Sequence, residues 1–289
     1  MNKLEFRADL HCHSTCSDGT CSPKELVDMA VEAKLSALAI TDHDNIDAFH
    51  IAKAHAEKMS LPLIPGVEIS ASHQDTNIHI LGYAYDSSSP ILKDFCDERR
   101  EKRLERFLNY IRLLQKEGLD FSVEEALQMV EESESEGQRS WGRAHIAQVM
   151  LEKGFVTSIK QAFDVYIGDK SRCYIGAQYP SVEEAIKLIH DSGGLAVLAH
   201  PHFIKRDRIV REVLEMNFDG LECFYARIPR EQEEKWCRIA EKKSWIATGG
   251  SDFHGSVKPH IFLGASWVNE EIFQKLHQHY LAHAKRIEN

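Results

Sequence analysis

The sequence predicts an α/β fold in which a barrel-like sheet of parallel strands is interrupted by one long helical insertion. Apolar and β-branched runs alternate with helical patterns near both ends of the 289-residue chain, as expected of repeated βα units. The segment between them has the charge and apolar pattern of helices throughout. We therefore expect residues 1–88 and 176–289 to form the barrel, and residues 89–175 to form a helical insertion subdomain that caps the active site.

The N-terminal strands are predicted from four short apolar or β-branched runs with turn residues at their ends. These runs are residues 4–10, 37–41, 63–69 and 78–85, with helical patterns between the first three. The first helix has a clear start, with Ser22 at the N-cap, Pro23 at the first helical position and Glu25 at the third. Such a capping box satisfies backbone N–H groups that the start of a helix leaves free.

The insertion and the C-terminal half are predicted in the same way. Residues 98–115 have the spacing of an exposed amphipathic helix, and the acidic residues 131–136 are expected to form a solvated loop rather than a binding tail. A helix capped by Ser181 and Glu184 begins the last part of the fold. Its remaining elements are strands at 195–199, 220–224 and 245–249 and helices near 206–216 and 230–243.

Composition excludes several classes of protein. Hydrophobic residues make up 43% and charged residues 28%, the usual mixture of a globular protein. No apolar run approaches the roughly 18–20 residues of a membrane span, and the first residues lack the apolar core of a signal peptide, so we expect a cytoplasmic location. The seven cysteines include no C-x-x-C pair, which is typical of free thiols in a reducing cytosol.

The charge of the chain restricts its partners. The formal net charge is −10, so the surface as a whole repels polyanions. We therefore expect no binding to long duplex DNA or to an acidic membrane. An anionic substrate requires a local positive charge.

Residues suited to metal binding stand where the predicted strands end. Because the active groups of parallel α/β folds lie on loops at the carboxyl ends of strands, these residues are expected to meet at one rim. They are His11, His13, His43, Glu68, His79, His200, Asp252 and His254. In an extended H-x-H pair both imidazoles lie on one side of the strand, where they can bind one metal ion.

Two alternatives compete with metal binding by these residues. A single His-Cys-His segment is more often structural, but a buried imidazole or carboxylate without a partner is strongly destabilising, so packing alone does not explain the whole set. Sulfur ligation by Cys12, Cys16 and Cys21 is the second alternative. Their spacing fits no zinc-knuckle pattern, and Cys12 lies on the strand face opposite to its neighbouring histidines.

Seven short motifs carry a resemblance to a known family. They are D-L-H-C-H-S, S-D-G-T, T-D-H-D, G-V-E, H-I-L-G-Y, A-H-P and G-S-D-F-H-G, in the order found in PHP-domain (polymerase and histidinol phosphatase) phosphoesterases. The resemblance covers nearly the whole chain. The insertion has the position found in the branch that includes nucleoside 3′,5′-bisphosphate phosphatases and a 5′-3′ exoribonuclease on short RNA. The resemblance therefore implies a distorted (β/α)7-type barrel and a metal-dependent hydrolysis of phosphoesters.

The resemblance also implies three metal positions. The first metal is held by His11, His13, Glu68 and Asp252, Glu68 bridges to a second metal on His79 and His200, and a third metal is held by Asp18, His43 and His254. The residues implied to be catalytic are His11, His13, Glu68, Asp252 and His254. Many relatives, including histidinol phosphatases, have His where Asp18 stands, so S-D-G-T resembles the bisphosphatase branch instead.

The charge of such a site suits a phosphate. Three divalent ions bring about +6 and three carboxylates return about −3, which leaves a positive surplus for a phosphoryl group. A water that bridges two of the ions is acidified and can act as the nucleophile, so no Ser or Cys nucleophile is required. Mixed imidazole and carboxylate ligands suit Mn²⁺, Fe²⁺ or Zn²⁺, and the resemblance favours two or three manganese ions per chain.

Four residues are candidates for substrate contacts. Arg143 and His145 resemble an Arg-x-His segment that meets the nucleotide's phosphate in the family, although a surface helix explains them equally well. His202 and Lys205 follow the predicted ligand His200 and are expected at the mouth of the pocket.

Further residues near the strand ends have two interpretations each. Phe224 and Tyr225 either stack on a base or pack in the core, and core packing is favoured for Phe224. Asp42 and Asp44 flank His43 and either fix its tautomer or are solvated turn residues.

We therefore expect a hydrolase that removes phosphate from a nucleoside 3′,5′-bisphosphate or from short oligonucleotides in the 5′-3′ direction. A small-metabolite phosphatase, such as one acting on histidinol phosphate, is an alternative within the same chemistry. A non-catalytic metal-binding module is an alternative of another class, and the nearly complete ligand set argues against it. The expected partner is a small phosphorylated substrate, and the sequence does not predict the oligomeric state.

Overall fold

The structure is a computed structural model, and it describes residues 5–131, 137–169 and 171–287. Seven strands lie within these residues: β1 Ala8–Asp9, β2 Ala37–Leu38, β3 Gly66–His73, β4 Thr76–Tyr83, β5 Leu195–Leu198, β6 Gly220–Tyr225 and β7 Ile246–Gly250. The α-helices of the same residues are α1 Pro23–Glu32, α2 Asp47–Lys58, α3 Pro90–Lys116, α4 Val123–Glu131, α5 Arg143–Glu152, α6 Ile159–Ala162, α7 Val182–Asp191, α8 Asp207–Val213, α9 Arg230–Lys243 and α10 Glu270–Ile287.

The strands form two sheets that join at both edges. Strands β1 and β2 pair in parallel, and β3 to β7 form a five-stranded sheet in chain order. Single bridges between Leu38 and Leu63 and between His43 and Glu68 connect β2 to the β3 side, and a bridge between Cys12 and Phe253 connects β1 to β7. Backbone hydrogen bonds therefore run round all seven strands, which agrees with the α/β fold predicted from the sequence.

The prediction that all strands are parallel is wrong for β4. This strand is antiparallel to both of its neighbours, β3 and β5. Strands β3 and β4 form a hairpin because Gln74 and Asp75 both adopt positive φ, 45° and 60°, as a tight two-residue turn requires. Neither residue is glycine, so the sequence lacks the usual signature of such a turn.

Most predicted helices are present with their expected caps. Ser22 and Glu25 form the predicted capping box of α1, and Ser181 and Glu184 form that of α7. Helix α3 begins at Pro90 and is 27 residues long, so it starts earlier than predicted. Helix α10 was not predicted. The acidic stretch 131–136 lies outside the described residues, except for its first residue at the end of α4.

The insertion packs around its own core and is tied to the strands by an ion pair. Phe107 of α3 contacts Trp141 with ring centroids 4.6 Å apart, within a cluster that extends from α3 to residue 175. Arg103 of α3 donates from Nε to Oδ2 of Asp44 at 2.7 Å and from Nη2 to Oγ of Ser70 at 2.8 Å. The proposed boundaries at residues 88/89 and 175/176 stay predictions.

All seven cysteines are free thiols. Among the described residues, no helix combines the length and apolar character that crossing a bilayer requires.

Candidate metal centre

Two loop segments form the centre of the candidate site, one after β1 and one after β7. The backbone N–H of Asp252 donates to the carbonyl of His11 at 2.7 Å, and that of His13 donates to the carbonyl of Phe253 at 2.9 Å. The segments approach so closely that a Cβ at Gly250 would lie 2.3 Å from the backbone nitrogen of His11. Glycine is therefore required there for the two H-x-H-like segments to lie side by side.

The first group of side chains consists of His11, His13, Asp252 and Glu68. Nε2 of His13 lies 3.2 Å from Oδ1 of Asp252 and 3.2 Å from Oε2 of Glu68, and Nε2 of His11 lies 3.4 Å from each of these oxygens. Ligand atoms about 2.1 Å from a tetrahedral metal ion are roughly 3.4 Å apart. These separations therefore fit the coordination shell of one ion.

The second group shares Glu68 with the first. Oε1 of Glu68 lies 2.8 Å from Nδ1 of His79 and 3.0 Å from Nε2 of His200. Its other oxygen, Oε2, belongs to the first group and also lies 3.2 Å from Nδ1 of His43. One buried carboxylate thus lies between two sets of imidazoles, which is the arrangement of a bridging ligand.

The third group surrounds Asp18. Its Oδ1 lies 3.4 Å from Nε2 of His254 and 3.7 Å from Nδ1 of His13, and its Oδ2 lies 4.0 Å from Nε2 of His43. The structure therefore brings together all nine residues implied as metal ligands by the family resemblance. It adds His13 to the third group and His43 to the surroundings of Glu68.

The contacts of two imidazoles fit a shared cation better than hydrogen bonds. Nδ1 of His43 and Nδ1 of His79 are buried and face Glu68, yet neither makes a hydrogen bond with it. Lone pairs on nitrogen and oxygen face each other in this way when both are ligands of one metal ion.

Sulfur ligation, the other alternative, finds no support in the contacts of the described residues. Their ligand atoms that lie close enough to share a metal ion form four overlapping sets, and none of these sets contains a cysteine. Cys12 donates from Sγ to the carbonyl of Ala39 at 3.4 Å instead.

The pKa values show how strongly these groups are coupled. Burial opposes the ionisation of Glu68, but the imidazoles of His43, His79 and His11 hold its pKa well below the usual range. Burial also opposes protonation of His13, but Asp252 and Glu68 raise its pKa to about 9. Burial, Lys258 and His13 lower the pKa of His254 to about 3. Positive charge, from protons or from cations, is thus required to hold the buried carboxylates.

Three further residues support this centre in a role that was not predicted from the sequence. Glu222 is fully buried; its Oε1 accepts from Nδ1 of His11 at 2.7 Å, and its Oε2 accepts from the backbone N–H of His200 at 2.6 Å. Oδ2 of Asp252 accepts from the hydroxyl of Tyr225 and from Nζ of Lys258, both at 2.5 Å. A charged residue inside the apolar run G-L-E-C-F-Y was the only sequence sign of Glu222.

The side chains of Asp42 and Asp44 fit neither interpretation made from the sequence. Both are buried, and neither bonds to His43. Asp42 accepts from the backbone N–H and the hydroxyl of Ser14 at 2.8 and 2.6 Å. Asp44 pairs with Nη2 of Arg103 at 2.6 Å. The two aspartates fix the ligand loops and the insertion instead.

The predicted substrate residues lie in different surroundings. Arg143 donates to Oδ1 of Asp169 at 2.7 Å, so its described contacts are within the insertion. His145 is buried, and its Nδ1 accepts from the N–H of Gly142 at 2.9 Å. Both ring nitrogens of His202 are buried without a hydrogen bond, and Lys205 is exposed.

A cavity of about 160 Å³ opens on the candidate ligands. Its walls include His200, Asp252, Phe203 and Lys258. The Phe203 side chain is 57% exposed at its rim, whereas Phe224 packs against the core as favoured from the sequence. Four larger cavities lie elsewhere, and none of the nine candidate ligands lines them.

Comparisons with known proteins agree with the site. The PHP domain family model matches residues 9–241. The chain is 32% identical over 255 residues to the 5′-3′ exoribonuclease Rnm of Escherichia coli, covering 85% of this chain and 84% of that protein. It is 31% identical over 251 residues to the 3′,5′-nucleoside bisphosphate phosphatase of Chromobacterium violaceum, covering 85% and 86%.

A solved structure from Bifidobacterium adolescentis, described as a metal-dependent phosphoesterase, superimposes with a TM-score of 0.86. It is 30% identical, and the superposition covers 96% of this chain and 97% of that one. The resemblance inferred from the seven motifs is thereby confirmed. The chain belongs to the PHP domain family and is a metal-dependent phosphoesterase.

Proposed function

We propose that this phosphoesterase hydrolyses phosphate from nucleotides, either nucleoside 3′,5′-bisphosphates or short oligonucleotides taken in the 5′-3′ direction. The observation that carries the proposal is Glu68, whose two carboxylate oxygens are divided between two groups of imidazoles. The names of the relatives from Escherichia coli and Chromobacterium violaceum supply the nucleotide part of the proposal.

The proposed metal ligands are the nine residues of the three groups, which hold two or three divalent ions. The set is His11, His13, Asp18, His43, Glu68, His79, His200, Asp252 and His254. We expect manganese, with iron or zinc as the other ions that imidazoles and carboxylates suit. When bound, these ions supply positive charge for the phosphoryl oxygens and acidify a water for attack on phosphorus.

The side chains of the protein perform the remaining tasks. Glu222 accepts from His11 and thereby leaves Nε2 of His11 free as a ligand, because the proton is held at Nδ1. The hydroxyl of Tyr225 donates to Oδ2 of Asp252 and thereby leaves Oδ1 of Asp252 free as a ligand. Lys258 lies on the wall of the cavity, where its ammonium group can contact a phosphoryl oxygen.

The size of the cavity indicates how the substrate lies. About 160 Å³ is below the roughly 300–1,000 Å³ of sites that enclose a whole small molecule. We therefore place the reacting phosphate inside and the nucleoside at the rim, where the exposed ring of Phe203 can stack on a base. Arg143, His145, His202 and Lys205 remain candidates for further substrate contacts, and the insertion remains a candidate cap.

The proposed partners follow from charge and thiol content. A net charge of −10 disfavours long duplex DNA, so the substrate is small. Seven free thiols suit the cytoplasm, where we place the enzyme.

A substrate panel tests this function. The purified protein is stripped of metal, reloaded with Mn²⁺, Fe²⁺ or Zn²⁺, and assayed with adenosine 3′,5′-bisphosphate, a 5′-phosphorylated tetranucleotide RNA and histidinol phosphate. We expect the two nucleotide substrates to have the higher kcat/KM, and elemental analysis to find two or three ions per chain. A far higher kcat/KM for histidinol phosphate would reject the nucleotide assignment.

A further inference from the structure

A second cationic site lies beside the metal centre, between α3 and residues 175–179. We name it the α3 cleft and define it by Arg99, Lys102, Arg103, Arg106 and Tyr179, which line it. The cleft encloses about 350 Å³, within the roughly 300–1,000 Å³ typical of small-molecule sites. Four of its side chains are cationic and one, Glu105, is anionic, so cations predominate there although the protein as a whole is acidic.

Among the residues that the structure describes, two of these cations lack a carboxylate of their own. Lys102 pairs with Glu98, and Arg103 pairs with Asp44. Arg99 donates to the carbonyl of Gln178 at 2.6 Å, and Arg106 donates to the carbonyl of Ile175 at 3.0 Å. A carbonyl satisfies a donor but does not neutralise a charge, so the cleft keeps a positive surplus.

Arg99 shows this surplus most clearly. Its side chain is only 6% exposed, and its Nε is buried without a hydrogen bond. The nearest carboxylate, Asp44, lies 3.9 Å away and already pairs with Arg103. The guanidinium group also stacks over the ring of Tyr179 at 5.0 Å, so it is held in place before any ligand binds.

The cleft adjoins the metal centre through two partners of Arg103, Ser70 and Asp44. Arg103 donates from Nη2 to Oγ of Ser70, and Ser70 is paired across the hairpin with His79. Asp44, the other partner of Arg103, directly follows His43 in the chain. Arg103 therefore lines the cleft and also contacts the immediate neighbours of two proposed ligands, so the cleft lies on the side of the metal centre that carries His43 and His79.

We propose that the α3 cleft binds the phosphodiester backbone of an oligonucleotide whose terminal phosphoester lies at the metal centre. The inference rests on the proposed function and deepens it, because a mononucleotide has no phosphodiester to place there. The cleft thus makes the oligonucleotide, rather than the mononucleotide, the better substrate. It also allows an acidic protein to hold a short polyanion without attracting long nucleic acids.

Two matched variants of α3 test the cleft. Lys102→Glu reverses a cleft charge and removes the ion pair with Glu98, whereas Lys93→Glu removes the equivalent ion pair with Asp97 outside the cleft. Both lysines are about half exposed or more, so neither variant disturbs the core. The measurement is kcat/KM for a 5′-phosphorylated tetranucleotide RNA and for adenosine 3′,5′-bisphosphate, at several salt concentrations.

We expect Lys102→Glu to lower the tetranucleotide to bisphosphate ratio of kcat/KM roughly tenfold, and Lys93→Glu to leave it within about twofold. The salt dependence of tetranucleotide KM should become shallower by about 0.7 per lost phosphate contact in Lys102→Glu alone. An unchanged ratio and slope with both substrates hydrolysed would overturn the cleft and leave the proposed function standing.

If neither nucleotide substrate is hydrolysed, the proposed function fails, and binding tests the cleft separately. Fluorescence anisotropy with the same tetranucleotide then compares the unaltered protein with the two variants. Weaker binding that is confined to Lys102→Glu supports the proposed role of the α3 cleft, and equal binding in all three proteins overturns that role.

Discussion

Replacing Glu222 with glutamine removes one negative charge behind the metal centre while keeping the shape of the side chain. The carboxylate accepts two hydrogen bonds, from Nδ1 of His11 at 2.7 Å and from the backbone N–H of His200 at 2.6 Å. A glutamine has one acceptor oxygen, so its NH2 group must face either the His11 ring or the N–H of His200. In the first case the proton of His11 moves to Nε2, the nitrogen that faces Asp252 and Glu68. In the second case the NH2 group of the glutamine faces the backbone N–H of His200, and no hydrogen bond forms because both groups are donors.

Either outcome weakens metal binding. Changes to a residue that orients a histidine ligand typically reduce metal affinity or activity by about 10- to 100-fold, which is roughly 1.4 to 2.7 kcal/mol. We expect that range for the affinity of Glu222→Gln for Mn²⁺, measured by calorimetric titration of the metal-stripped protein. Glu212→Gln is the matched control, because Glu212 also pairs with a histidine, His73, at 2.9 Å, but on the surface.

The control variant should bind Mn²⁺ like the unaltered protein. Circular dichroism before titration establishes that both variants are folded. Equal affinity in Glu222→Gln and Glu212→Gln would refute the role of Glu222 in positioning His11.

Four further changes have expected outcomes. Asp252→Ala should abolish activity and reduce bound metal while the fold persists, and full activity would contradict the ligand assignment. Phe203→Ala should raise KM for a nucleotide by about 5- to 160-fold, because stacking contributes about 1–3 kcal/mol per base, and should affect p-nitrophenyl phosphate much less. Arg143→Ala should raise KM for the bisphosphate more than it lowers kcat, since a distal contact supplies mainly uniform binding; an unchanged KM removes Arg143 from the pocket. The metal-stripped protein should lose stability as the pH rises, because the pKa of His13 is raised from 6.5 to about 9, so its contribution is complete below 6.5 and lost through 9. Thermal unfolding in a chelator at pH 6.5 and 9 measures this, and a Tm that rises over that interval would contradict it.

The metal ligands were accessible to sequence reasoning because their positions follow from the fold class. His11, His200 and Asp252 each stand just after a strand, and the carboxyl ends of adjacent strands meet at one rim wherever the sheet curves round. Local rules also predicted α1 and α7, since each capping box involves residues only three apart in the chain.

The contacts that were not predicted join residues far apart in the chain. Glu222 and His11 are separated by 211 positions, and Asp44 and Arg103 by 59. Both acids lie in segments whose local pattern indicated something else, a buried strand for Glu222 and a turn for Asp44. The three-dimensional fold is needed to show that Glu222 contacts a histidine and that Asp44 contacts an arginine. The hairpin at Gln74 was missed for a local reason, because its turn contains no glycine and glutamine seldom adopts positive φ.

The bond between Arg103 and Asp44 limits how this chain can be shortened. Asp44 is buried, and deleting α3 would remove the guanidinium groups of Arg103 and Arg99 that face its carboxylate. Leaving one member of a buried ion pair alone typically destabilises a protein by about 3–5 kcal/mol, a large part of the stability of a single domain. The loss would destabilise the loop that carries His43, because Asp44 directly follows His43 in the chain. A minimal version of the enzyme therefore needs an uncharged residue at position 44 in the same step that removes the helix.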